Sequence, residues 1–80
     1  TSADVEREFS RKHNERIVHE VIREMEEPDR TIFILRFFYY ETVKVIAETV
    51  HLKEDNVESR IRRGKKKLKA DLLRRGVLNE

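Results

Sequence analysis

Between Asn56 and Lys69 the chain reads NVESRIRRGKKKLK, seven cationic side chains in fourteen residues. Val57, Ile61, Leu68 and Leu72 recur through this stretch at helical spacing, so it can fold only as a helix with a narrow apolar stripe and a wide wet face. A stripe of that kind has to be covered by other segments. With eighty residues in all, the chain has enough for one domain and a single, barely sufficient core. A large enzyme cleft is beyond it.

The remaining apolar residues are grouped to provide that cover. From Glu15 to Glu27 they fall at Ile17, Val18, Val21, Ile22 and Met25, the stripe of a first amphipathic helix, which Val5 and Phe9 extend backwards. Pro28 ends it. Pro28-Asp29 also suits the first turn of the next helix, where a missing N–H costs nothing and an acid meets the positive end of the dipole. The run TIFILRFFYY is β-branched and aromatic, which by propensity alone favours a strand. It has no partner strand anywhere in the chain and follows a helix-start signal, so it is read as a short buried helix. Thr42 caps a third helix, Val43 to Val50, although Val45 stands where a capping box needs Glu or Gln. After His51-Leu52-Lys53, the acids Glu54 and Asp55 open the last helix, and Gly76 stops it.

Two helices joined by about three residues, with the small Ala47 where their axes approach, form the helix-turn-helix pattern. The turn needs one residue of positive φ, and His51 takes that place. The expected fold is all-α, a small four-helix domain containing a helix-turn-helix. Residues 15–76 form the domain, 1–14 a linker or helix extension from an upstream domain, and 77–80 a tail. Because the chain begins Thr1-Ser2, it is read as a processed chain or as a piece of a longer one.

Charge points to the class of partner. The formal net charge is only +2, but Arg60 to Arg75 holds nine basic residues against the single acid Asp71. A field that concentrated suits a polyanion. The absence of cysteine excludes disulfides and thiolate metal sites. The clusters IFIL and FFYY, split by Arg36, are too short to span a bilayer. His19-Glu20 begins like a zinc-protease HExxH, but Arg23 stands where the second histidine belongs. His13, His19 and His51 have no helical pairing, so no metal or other cofactor is expected. Without paired carboxylates across a cleft, a Ser–His pair or a phosphate loop, no enzyme is expected either.

The run DRTIFILRFFYYETVKVIAETVHLKEDNVESRIRRGKKKL resembles the fourth conserved region of bacterial sigma factors, most closely the extracytoplasmic-function group. The likeness lies in Asp29-Arg30, Leu35-Arg36, Ile46-Ala47-Glu48, Ser59-Arg60-Ile61 and Arg63, and covers roughly residues 17–73. The chain departs from the family at Tyr40 and His51, where Gly is frequent, at Val45 for Glu, and at Gly64 for Ala. Glu58 holds a place that is often basic. The resemblance implies a cytoplasmic promoter-reading module whose last helix enters the major groove of the minus-35 element. It also implies the β-flap of core RNA polymerase and an anti-sigma protein as partners, and DNA contacts from Arg36 and Lys44.

On the last helix, early positions face base edges and later ones the backbone. Asn56, Glu58, Ser59, Arg62 and Arg63 are therefore assigned to bases, and Lys65, Lys66 and Lys69 to phosphates. Arg60, beside the stripe, is left open between DNA and an acid on a neighbouring helix. Tyr39 and Tyr40 are read as core and lid rather than as a base-stacking pair. Two rival readings stand beside promoter recognition. One is the helix-turn-helix of a response regulator; the other is a helical adaptor offering Phe37, Phe38, Val43 and Val45 to a protein.

Overall fold

A computed structural model describes the backbone of residues 2–77 and the side chains of residues 12–77. Four helices follow one another: α1 (Ser2–Arg23), α2 (Asp29–Phe37), α3 (Val43–Val50) and α4 (Glu54–Arg74). The helical backbone thus continues back through residues 2–14. The side chains of Val5 and Phe9 lie outside the described residues, as do positions 78–80 of the expected tail.

The helix boundaries have local causes. α1 ends at Arg23, four residues before the expected Glu27, through a tightened last turn in which Glu24 N–H reaches the carbonyls of Glu20 and Val21. The residues released from it serve α2. Glu27 Oε1 accepts from the Thr31 backbone N–H at 2.9 Å and from its hydroxyl at 2.7 Å, satisfying a donor that the first turn of a helix leaves orphaned. Thr42 caps α3, accepting from Val45 N–H at 3.2 Å. α3 ends at His51, whose φ of 59° and ψ of 42° lie in the left-handed region, as the turn requires. Tyr40 closes the α2–α3 turn in the same region at φ 56°. Beyond the end of α4, Gly76 adopts φ +76°, and the Val77 N–H returns to the Leu72 carbonyl at 2.9 Å.

The core draws on every helix: Val21 and Ile22 from α1, Ile32 and Phe33 from α2, Ile46 and Ala47 from α3, and Val57, Ile61 and Leu72 from α4. Each fully buried side chain of this size contributes roughly 1.5–3 kcal/mol by removal from water. The strand-like composition of α2 follows from its position. It packs against α1, α3 and α4 at once, so an element apolar nearly all round is what the site requires. α2 meets α4 at Gly64, where an added Cβ would stand 2.4 Å from Phe33 Cζ. That crossing fixes the depth of the basic helix in the domain.

Tyr39 and Tyr40 are not core residues. They are 67% and 84% exposed, because the α2–α3 turn carries them past the packed end of α2. Phe33, Phe37 and Phe38 fill the aromatic role instead: Phe33 and Phe37 pack at 5.3 Å between ring centroids, and Phe38 stacks on His19 at 4.0 Å.

Candidate nucleic-acid interface

The helix-turn-helix consists of α3, the turn 51–53 and the first half of α4. Burial of Val57 and Ile61 fixes the rotation of α4 and therefore decides which side chains look outward. Glu58, Arg62, Arg63, Lys66 and Lys69 are exposed and Ser59 is half-buried, a continuous polar and cationic face opposite the core. Lys44 is exposed in the first turn of α3.

Several of the predicted contact residues have intramolecular partners. Arg36 Nη1 donates to the Glu41 carbonyl at 3.0 Å, tying the last turn of α2 to the segment that leads into α3. Arg63 Nε approaches the Ser59 carbonyl at 3.4 Å, which lays the side chain along its own helix. Lys65 Nζ stands 5.7 Å from the centroid of the Phe37 ring. That cation–π contact holds its ammonium on the flank towards α2.

Arg60 is resolved in favour of the neighbouring helix. Its Nη1 lies 2.9 Å from Asp29 Oδ1 at the start of α2, and its Nε donates to Asn56 Oδ1 at 2.8 Å. Asn56, placed among the base-facing residues, is thus engaged on its oxygen. At the other end of α4, Arg74 pairs with Asp71 at 2.6 Å and Arg75 with Glu24 at 2.8 Å. Arg60, Arg74 and Arg75 are therefore committed to carboxylates, and the remaining exposed cations of the helix lie between Arg62 and Lys69. Sequence reasoning missed Lys67, which lines a recess with Asp29, Arg60, Arg63 and Gly64. Its place three residues after Gly64, on the flank that Arg60 and Arg63 share, was the signal available.

The family model for Sigma-70, region 4 matches residues 15–68. The chain belongs to the sigma-70 region 4 family. No curated protein and no solved structure matches it. Membership makes this helix-turn-helix a DNA-binding domain of transcription initiation, with promoter DNA and RNA polymerase as the family's partners, and not an enzyme. Among the described residues no helix is long and apolar enough to cross a membrane. In a sigma region 4 domain the outward face of α4 is the candidate DNA surface.

Proposed function

We propose that this domain reads the minus-35 element of promoters through α4 while held on core RNA polymerase, as region 4 of an extracytoplasmic-function sigma factor in the cytoplasm. The observation that carries the reading is the division of α4. Val57 and Ile61 are buried on one side, while Arg62, Arg63, Lys66 and Lys69 stand exposed on the other. A helix so supported presents a rigid cationic face to the major groove. In this arrangement Asn56, Glu58, Ser59, Arg62 and Arg63 face base edges, Arg63 being suited to the paired acceptors of guanine. Lys66, Lys69, Lys44 and Arg36 meet phosphates, with Lys65 at the flank. The resemblance to the extracytoplasmic-function group extends the proposal to the polymerase β-flap and to an anti-sigma protein as protein partners.

A salt titration of duplex binding tests it. With four or five phosphates neutralised, log K is expected to fall against log salt with a slope of about −3 to −5, near −0.9 per phosphate. Affinity independent of salt would remove the DNA-binding role of this face.

A further inference from the structure

We propose that Asp29 and Arg60 act as positioning residues that orient the Asn56 amide with its N–H donors leading, so that it reads a keto base, guanine or thymine, in the major groove. The inference rests on the promoter-reading role proposed above. It starts from the chain of contacts Asp29 Oδ1, Arg60 Nη1, Arg60 Nε and Asn56 Oδ1, linked at 2.9 and 2.8 Å. A guanidinium has donors only. The Asn56 atom facing Arg60 Nε must therefore be the amide oxygen, and the Nδ2 group is left to point away from Arg60.

Asp29 belongs to α2 and Asn56 to the first turn of α4. The orientation of a candidate base-contacting amide is consequently set by an ion pair between two helices, and not by the recognition helix alone. The pair is partly shielded, with Arg60 30% and Asp29 42% exposed at the side chain. A charge-assisted bond of this kind holds its geometry better than a neutral one.

Asparagine ordinarily reads adenine with both ends of its amide, accepting from N6 and donating to N7. Here Arg60 Nε takes one of the oxygen's two lone pairs and keeps that end of the amide turned towards itself. The end presented away from Arg60 is a pair of N–H donors, which match guanine O6 and N7 or thymine O4 and find a competing donor at the amino group of adenine or cytosine. The expected preference is thus keto over amino at one base position, about five-fold if one net hydrogen bond decides it.

The test selects duplexes from a randomised library with the whole chain and with Asn56→Ala, Arg60→Lys, Asp29→Ala and the double variant Arg60→Lys/Asn56→Ala, at one salt concentration. Thermal melts of each variant run alongside. Arg60→Lys keeps the charge but loses the fork that bridges Asp29 to Asn56. It is expected to keep the overall affinity and to shift the preference from keto towards adenine, by about five-fold, at the position that Asn56→Ala makes indifferent. The double variant is expected to match Asn56→Ala, because Arg60 acts through Asn56. Asp29→Ala is expected to shift the same position in the same direction as Arg60→Lys, which gives a second reading if either variant is too unstable to use.

Three results overturn the inference: a wild-type preference for adenine at that position, an Asn56→Ala variant with unchanged base preference, or an Arg60→Lys variant that alters a different base. In each of these the wild type still selects DNA, so promoter recognition stands. Failure of the wild type to select any sequence removes the inference together with the reading beneath it.

Discussion

Glu27 shows how much a single side chain can decide at the residue scale. The Thr31 hydroxyl, its backbone N–H and Arg30 all donate to or face its carboxylate, and they hold its pKa below the ordinary value of 4.5. A carboxylate whose pKa is lowered on folding adds stability that is present above its unfolded pKa and lost as pH falls through the folded one. Glu27→Gln is therefore expected to melt at a lower temperature than the wild type at pH 6, with the gap closing as the pH is taken below 4.5. A gap that stays constant down to pH 3 would show that the charge on Glu27 contributes nothing. None of this was legible in the sequence, where Glu27 reads as the last residue of α1. The capping role depends on the chain turning back at Pro28, which brings Oε1 over Thr31.

At the scale of elements, the helices and their order followed from periodicity, whereas the contacts between them did not. The stripe Val57, Ile61, Leu68 and Leu72 and the cap at Thr42 identified α4 and α3, and both stand as read. The α2 segment was harder, because β-branched and aromatic residues fit a buried helix as well as a strand. The neighbours of α2 on three sides make it a helix, and no local signal contains them. Gly64 carries the sharpest consequence. The Phe33 ring, fully buried, lies 2.4 Å from where a Cβ at this position would stand. Gly64→Ala gains up to about 1 kcal/mol of helix propensity against roughly 1–3 kcal/mol for overpacking a filled core. The variant is expected to be less stable by about 1 kcal/mol in chemical denaturation. A variant more stable than the wild type would mean that Phe33 has room to move.

Over the whole molecule, the core and the cationic face divide α4 between them, and the two should respond independently. Ile61→Ala removes a buried anchor and is expected to cost on the order of 2–5 kcal/mol. Lys66→Ala, on the exposed face, should leave the melt nearly unchanged while weakening binding to every duplex alike. Melts and binding curves for the two variants check this, and a larger loss of stability in Lys66→Ala would put the helix in the wrong phase. The amino-acid sequence by itself determined that the chain is helical, that α3 and α4 make a helix-turn-helix, and that the last helix has one apolar and one cationic side. Each of these is a matter of spacing along one segment, which periodicity and capping chemistry express locally. Only the tertiary structure decided that Arg60 belongs to Asp29 and that Arg75 belongs to Glu24. Those outcomes depend on which groups from distant segments meet within about 3 Å, the range of a hydrogen bond, and that distance is set by how four helices pack.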